Sequence, residues 1–173
     1  MPAGIAPGFD YNVGIANLRI KAREQVAEKL EKINPDIART AINSLVRSDD
    51  FADFYKNPQG YFAVGIVDER ISQALKAETS VCCLSDETLL KNKKHHQDLT
   101  IDDYKLMNRV LGNYDILVQD TAKSVVAVKK VAGKNYWLAV KVTRKGNEIF
   151  TTTFHLAEDR QLRKLITKGK RLK

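Results

Sequence analysis

Apolar residues recur at helical spacing through the first third of the chain. They predict a helix over residues 14–33, followed by a second helix over residues 35–47. Asn34 lies before Pro35, so it disfavours continuation of the first helix and can cap the second. Ser48 or Asp49 begins a third, short helix. We interpret residues 1–57 as a linker and a helical N-terminal arm.

The pattern then changes to short apolar runs separated by amphipathic segments. The runs "YFAVGIV" and "TSVCCL" predict two strands, with a helix, "DERISQALKA", between them. Two more helices are expected to follow. One begins after Ser85, and the other begins after Thr100 and ends at Gly112.

Four further runs have the composition of strands, and hairpin-length breaks separate them: "YDILVQD", "SVVAVKKV", "NYWLAVKVT" and "NEIFTTTFH". A final helix, "AEDRQLRKLITKG", is expected to end at Gly169. The order of elements predicts an α+β fold, with N-terminal helices packed on a four-stranded antiparallel sheet and a short C-terminal helix. We assign residues 58–173 to this domain, including a basic C-terminal tail.

Positive charge is concentrated in the C-terminal part of the chain. Of 29 Lys and Arg residues, 14 lie between Lys123 and Lys173, together with three of the 21 acidic residues. The net charge is therefore +11 in this part and −3 in the first 122 residues, which accounts for the total of +8. A one-sided basic region favours a polyanionic partner such as nucleic acid, although a solvated charged surface has the same composition.

Composition also narrows the cellular setting. No run of about 18 apolar residues predicts a membrane span, and the N-terminus lacks the pattern of a signal peptide. The only cysteines, Cys82 and Cys83, are adjacent in a predicted strand, so neither a disulfide framework nor a zinc site is expected. We expect a cytoplasmic site of action, no metal and no cofactor.

Alternation along the last two predicted strands places polar groups together. One face of the first strand carries Lys141 and Thr143, and its other face is apolar. In the second strand, Thr153 and His155 share a face, so pairing through "RKG" can bring all four side chains onto one side of the sheet. A solvated sheet face has similar residues, and a single histidine near a strand end is more often a surface residue than a catalyst.

These groups suit cleavage of RNA without a metal ion. The 2′-hydroxyl of RNA is the nucleophile, so the protein needs an acid or base that titrates near neutrality, which His155 provides. Lys141, Thr143 and Thr153 can stabilise the negative charge of the developing phosphorane. A metal-dependent nuclease needs clustered carboxylates, and the C-terminal part has few.

Two more histidines lie at the end of the predicted helix that follows Ser85. His95 is interpreted as a helix-terminal residue that interacts favourably with the helix dipole. His96 has the same interpretation, but it can also complete an acid–base pair or hold a phosphate.

Several stretches together resemble a known family. They are the pattern L-S-x-x-T-L-x-K from Leu84, the pattern H-x-x-L-T-x-x-D-Y from His96, and the strand pair K-x-T with T-F-H. With "GFDYNVG" near the N-terminus, they resemble the phage-borne nuclease domains of the barnase–EndoU–colicin–RelE-like superfamily, found at the C-terminus of Mu-like phage minor head proteins. The resemblance covers roughly residues 8–167.

The resemblance implies a metal-independent endoribonuclease in a phage, prophage, virion or toxin context, with tRNA as one possible substrate. The implied catalytic positions are Lys141, Thr143, Thr153 and His155, with His96 as a helical contributor. The family usually has arginine after the histidine of T-F-H, whereas Leu156 stands here. Arg160 or Arg163 can take over phosphate binding, together with Lys164. An immunity protein or a phage head protein is a possible partner.

Two other functions remain open. The chain can be a non-catalytic nucleic-acid-binding or structural module of a phage head morphogenesis protein, binding polyanions through its C-terminal lysines and arginines. It can also be a relative in fold alone that binds another protein through its N-terminal helices. The resemblance favours the nuclease, whose site of action is the cytoplasm and whose carrier can be the virion.

Overall fold

The computed structural model describes residues 11–173, with side chains from residue 17 onward except residue 19. Eight helices and seven strands lie in this part of the chain. In chain order they are α1 (Tyr11–Glu31), α2 (Pro35–Leu45), α3 (Asp49–Lys56), β1 (Tyr61–Ile66), α4 (Glu69–Leu75), β2 (Val81–Ser85), α5 (Asp86–His95), α6 (Ile101–Tyr104), α7 (Met107–Gly112), β3 (Ile116–Thr121), β4 (Ser124–Val131), β5 (Lys134–Val142), β6 (Ile149–Ala157), α8 (Asp159–Lys168) and β7 (Lys170–Arg171).

Polar residues start most helices where the sequence predicts them. The side chains of Asn34, Ser48 and Ser85 each accept a hydrogen bond from a backbone N–H in the first turn of α2, α3 and α5. Thr100 forms a capping box with Asp103. The single helix expected after Thr100 is wrong, because the chain forms two short helices, α6 and α7, before Gly112.

All seven strands form one mixed sheet in the order β1-β2-β6-β5-β4-β3-β7. The prediction of four antiparallel strands is therefore wrong, although the α+β class is confirmed. β2 pairs with β6 in parallel, which attaches the β1–β2 hairpin to the four-stranded meander. Because β2 and β6 are distant in sequence, alternation within each strand carries no information on this pairing.

The C-terminal residues also belong to the sheet. Val118 of β3 pairs with Arg171, and Gln119 pairs with Lys170. Further along, the backbone N–H of Leu172 donates to the carbonyl of Leu117 at 2.7 Å. The segment interpreted as a basic tail therefore forms an edge strand, whose alternating Lys and Arg residues have no apolar pattern that identifies a strand.

Helices cover both faces of the sheet, but to different extents. The main core lies between one face and helices α1–α7, with Phe51, Phe54, Leu89 and Leu111 among its buried side chains. The division at residues 57 and 58 stays a prediction, and α1–α3 share this core with β1. On the other face, Leu162 and Leu165 of α8 pack on strand residues. That smaller core consists of Val118, Val126, Val128, Ala139, Ala157, Leu162 and Leu165.

A bulge in β6 changes the expected register of the two strands that carry the predicted site. Ala139 pairs with Thr153, whereas the next residue, Val140, pairs with Thr151. Thr152 is therefore the extra residue, and its hydroxyl donates to the carbonyl of Ala139. The bulge moves Thr151 onto the buried face, away from Thr153.

Candidate functional site

Three aromatic rings form a row across the open end of the sheet face that α8 partly covers. His155 of β6 pairs with Trp137 of β5, and their rings stack with centroids 5.2 Å apart. On the other side of His155, the ring of His96 stacks with its centroid at 4.9 Å. The C-cap of α5 thus delivers His96 to the strand that carries His155. Two imidazoles that are distant in sequence meet here.

The environment of His155 determines which nitrogen is free. Its Nδ1 lies 2.8 Å from the carbonyl oxygen of Leu156, and a carbonyl only accepts hydrogen bonds, so Nδ1 carries the proton. In the neutral ring, Nε2 then has a lone pair. Among the described residues no hydrogen-bond partner of Nε2 is found, and the side chain is half-buried. The ring is therefore oriented with an available base.

His96 is influenced both by its burial and by its neighbour. Burial, and then the charge of His155, lower the pKa of His96 from its ordinary value of 6.5, while Asp98 opposes this shift. Two positive rings with centroids 4.9 Å apart repel each other by about 1 to 3 kcal/mol at the dielectric constants of water and of a protein surface. A proton on the ring of His155 thus disfavours a proton on the ring of His96, which is the direction of this shift.

Asn92 fixes the geometry of this pair from inside α5. Its side-chain amide donates to the carbonyl of Phe154 at 2.7 Å and accepts from the N–H of Phe154 at 3.0 Å. It also donates to the Tyr104 hydroxyl at 2.7 Å. Asn92 thus pairs with the backbone of β6 between Thr153 and His155, as a neighbouring strand would. The pairing of β2 with β6 does not extend to this part of the strand. Thr153 lies 3.5 Å from the Asn92 carbonyl oxygen.

A row of cations borders the site on the side of α8. Arg160, Lys164 and Lys168 are spaced four residues apart, so they lie along one side of the helix. They line a groove of about 460 Å³ together with Trp137, the residue that stacks on His155. Asp120 is the only carboxylate among the residues that form its wall. Trp137 therefore contacts both the groove and His155, although neither histidine lines the groove.

The predicted site residues are only partly brought together. His155, His96 and Thr153 are neighbours, and Arg160 and Lys164 line the adjoining groove, whereas Arg163 is exposed and does not line it. Lys141 shares their face of the sheet, but neither Lys141 nor Thr143 lies beside them, and the catalytic roles of both residues stay predictions. Lys141 pairs with Phe150, four positions along β5 from Trp137, which is about 13 Å at the usual rise of a strand.

Thr143 has a local structural partner in the turn between β5 and β6. Its hydroxyl donates to the side-chain oxygen of Asn147 at 3.1 Å and accepts from the N–H of Glu148 at 3.2 Å. These bonds hold the turn closed. Thr143 is therefore separated from His155 by nearly the whole length of the hairpin.

Two important residues were not singled out by the sequence. Trp137 lies on the same face of β5 as Lys141, and the ring that it contacts belongs to another strand and is not evident from the pattern of β5 alone. Asn92 occupies a buried position of α5 and is 5% exposed, and a polar side chain at an otherwise apolar helical position is the signal that identifies it.

Neither a metal-binding cluster nor a membrane-spanning helix is found in the described part of the chain. Among these residues, no cluster of three or more His, Cys, Asp or Glu has an arrangement that could hold a metal ion. No described helix is both long enough and apolar enough to cross a membrane.

Comparison with known proteins identifies one family. A family model described as phage-Barnase-EndoU-ColicinE5/D-RelE like nuclease3 matches residues 61–164, which run from the first residue of β1 into α8. Neither a curated protein nor a solved structure gives a significant match to the chain. The matched segment includes the three stacked rings, Asn92 and the first two of the three residues in the cationic row.

Proposed function

The chain belongs to the phage-Barnase-EndoU-ColicinE5/D-RelE like nuclease family, and we propose that it is an endoribonuclease that cleaves RNA without a metal ion. The observation that carries this proposal is the stacked pair of His155 and His96 beside a cationic groove. RNA contains its own nucleophile, so such a site needs to move protons and stabilise negative charge. It does not need a nucleophilic side chain.

His155 acts as the general base in this proposal. Its Nε2 removes the proton of a ribose 2′-hydroxyl, and the 2′-oxygen attacks the adjacent phosphorus. The bond from phosphorus to the 5′-oxygen breaks, and that oxygen receives a proton from the imidazole pair. The products are a 2′,3′-cyclic phosphate and a 5′-hydroxyl. One proton enters the pair and one leaves it, so the enzyme is unchanged after the step.

His96 serves as the second titratable group of the pair. Its lowered pKa keeps it neutral when His155 takes up a proton, so the pair can hold one proton and pass it on. Trp137 and Asn92 are positioning residues, because the first packs against the His155 ring and the second holds the adjacent backbone.

Cations and a hydroxyl stabilise the negative charge that develops on the non-bridging oxygens of the phosphorane. Arg160 and Lys164 line the groove beside Trp137, and Thr153 lies on the same face as His155. Arg160 takes the role that the residue after His155 has in the resembling proteins, since Leu156 cannot bind a phosphate. The alternative position, Arg163, has no contact that supports it.

A substrate with a single blocked position tests the chemistry. An RNA oligonucleotide that is cut at one site is compared with the same oligonucleotide carrying a 2′-deoxy nucleotide on the 5′ side of the cut. Cleavage of the all-RNA strand in EDTA, with no cleavage of the substituted strand at that site, is the expected result. Equal cleavage of both strands would contradict attack by the 2′-hydroxyl.

The biological setting is a further part of the proposal. The family description supports a phage-related nuclease, and a phage head protein, a virion or a toxin is the carrier we propose. A tRNA substrate, an immunity protein and a cytoplasmic site of action belong to the same setting. In the "GFDYNVG" stretch on which the head-protein context depends, residues 8–10 lie outside the described residues, and residues 11–14 belong to α1.

One observation favours a second function. The edge strand β7 presents exposed Lys170 and Arg171 beyond the matched segment, near the end of α8. A non-catalytic module that binds nucleic acid in a phage head would use these cations. It would bind RNA and DNA with similar salt dependence and leave both intact.

A further inference from the structure

A second basic groove lies at the far end of the β5–β6 hairpin. It has a volume of about 450 Å³ and is separate from the groove along α8. Its wall combines three cations with an aromatic ring and two hydroxyl-bearing side chains. The lining residues are Lys123, Lys141, Val142, Thr143, Arg144, Phe150 and Thr152.

Two of the three cations that line this groove form no side-chain hydrogen bonds or ion pairs within the described part of the chain. The side chains of Lys141 and Arg144 are exposed, and neither forms a hydrogen bond or ion pair with any described residue. No acidic residue is among those that line the groove, and the carboxylate of Asp120 accepts a hydrogen bond from Ser124, the residue that pairs with Lys141. The groove therefore presents a concentrated positive charge to an anionic ligand.

Phe150 gives the groove an apolar surface beside the cations. The ring is half-buried, and it packs against Tyr61 in a T-shaped arrangement with ring centroids 5.8 Å apart. This contact fixes the orientation of the ring. A cationic groove with a fixed aromatic ring is the combination that binds single-stranded nucleic acid, because phosphates contact the cations and bases stack on the ring.

The position of the groove relates it to the imidazole pair. Lys141 and Trp137 lie on the same face of β5, and Lys141 pairs with Phe150 as Trp137 pairs with His155. The two cross-strand pairs are about 13 Å apart along the strands. This length corresponds to about four nucleotides of a stacked strand at about 3.4 Å per nucleotide, and to fewer nucleotides of an extended strand.

We propose that this groove is a binding subsite for the substrate RNA strand, a few nucleotides away from the phosphodiester bond that is cleaved. Lys141 and Arg144 bind its phosphates, and Phe150 stacks on a base. This inference rests on the proposed ribonuclease function and gives Lys141 a role in binding, away from the chemical step. It also predicts that the enzyme distinguishes substrates by length.

A matched pair of double variants tests the subsite. Lys141→Gln with Arg144→Gln removes two groove cations, and Lys32→Gln with Arg47→Gln removes two exposed cations from the N-terminal region. The probe is fluorescent 2′-O-methyl RNA of 12 or three nucleotides, which the proposed chemistry cannot cleave. Anisotropy is measured over a range of salt concentrations.

The groove variant is expected to bind the 12-nucleotide probe at least 10-fold more weakly than the wild type. Its slope of log K against log salt should be smaller by about 1.4, at about 0.7 for each phosphate contact to a single strand. The three-nucleotide probe and the control variant should show less than a twofold change. Equal weakening in the two double variants, or no weakening in either, would overturn the subsite.

Cleavage separates this inference from the function on which it rests. The groove variant should lose kcat/KM on a 12-nucleotide RNA and keep it on a dinucleotide, and a loss on both would place Lys141 or Arg144 at the chemical step instead. If the wild type cleaves no RNA, the proposed function fails, whereas the binding comparison still decides whether the groove holds a strand. Should the double variant melt early, Lys141→Gln alone repeats the comparison.

Discussion

Replacing Asn92 with leucine is expected to destabilise the protein strongly, although the two side chains are similar in size. The side chain is 5% exposed, and its amide satisfies three polar groups: the N–H and carbonyl of Phe154 and the hydroxyl of Tyr104. Asn92→Leu removes their partners and leaves an apolar group in their place. The variant therefore tests hydrogen bonding with little change in volume.

The expected cost follows from the number of groups left without partners. A buried polar group that loses its hydrogen-bond partner costs about 1 to 3 kcal/mol. Three such groups give at least about 3 kcal/mol, which is a large part of the usual 5 to 15 kcal/mol of folding stability. At a slope of about 2 kcal/mol per molar urea, the unfolding midpoint should fall by about 1.5 M or more.

Urea unfolding monitored by tryptophan fluorescence measures this change. The chain has one tryptophan, so its emission comes from Trp137 beside His155. Asn113→Leu is the control, because Asn113 is exposed and its side chain forms no hydrogen bond with the described residues. Its midpoint should move by the equivalent of less than about 0.5 kcal/mol. A loss below about 1 kcal/mol for Asn92→Leu would refute the role assigned to Asn92.

Three further outcomes are expected. Because the folded-state pKa of His96 lies below its unfolded value, His96 contributes stability that is present above about pH 6.5 and lost as the pH falls through the folded-state pKa. Urea unfolding between pH 7.5 and 5.5 should show this loss in the wild type and in His95→Gln but not in His96→Gln. An unchanged loss in His96→Gln would contradict this prediction. Deletion of residues 170–173 should lower the free energy of unfolding by about 1 to 3 kcal/mol, since it removes the pairing of β7 and the backbone bond from Leu172 to Leu117; an unchanged urea midpoint would mean that these residues behave as a solvated tail. Burial raises the pKa of Cys82 to about 12 and that of Cys83 well above 9.0. Neither thiol should therefore react with iodoacetamide at pH 8 until the protein is unfolded in guanidinium. Rapid labelling of the native protein would refute their burial.

The sequence predicts those parts of the fold that depend on local order. Asn34, Ser48 and Ser85 mark helix starts because capping acts within one turn, and the apolar face of β5 follows from the period of two. The α+β class follows from the order of such elements. The same information does not predict the parallel contact of β2 with β6, because that contact joins residues that are far apart in the chain.

The residues of the candidate site also divide into those whose positions follow from local alternation and those whose positions depend on contacts between distant parts of the chain. His155 and Thr153 were predicted to share a face, and they do, because they lie beyond the bulge where alternation holds. Lys141 and Thr143 were expected beside them, but alternation predicts only the face of the sheet and not the position along the strand. Lys141 lies four positions along β5 from Trp137, the residue that pairs with His155. The meeting of His96 with His155 depends on where α5 ends in space. Its place at the end of the helix and the family resemblance both indicated His96, and the fold brings its ring against that of His155.

Cleavage of RNA by matched histidine variants tests the central claim most directly. Purified wild-type protein, His155→Ala and His95→Ala are each incubated with total tRNA in EDTA, and the products are separated on a denaturing gel. His95 is the matched control because it is exposed and adjoins His96 in the chain. Discrete fragments from the wild type and His95→Ala, with none from a folded His155→Ala, are the predicted result. Cleavage by His155→Ala at the wild-type rate would contradict the site, and intact tRNA with all three proteins would favour the non-catalytic binding module.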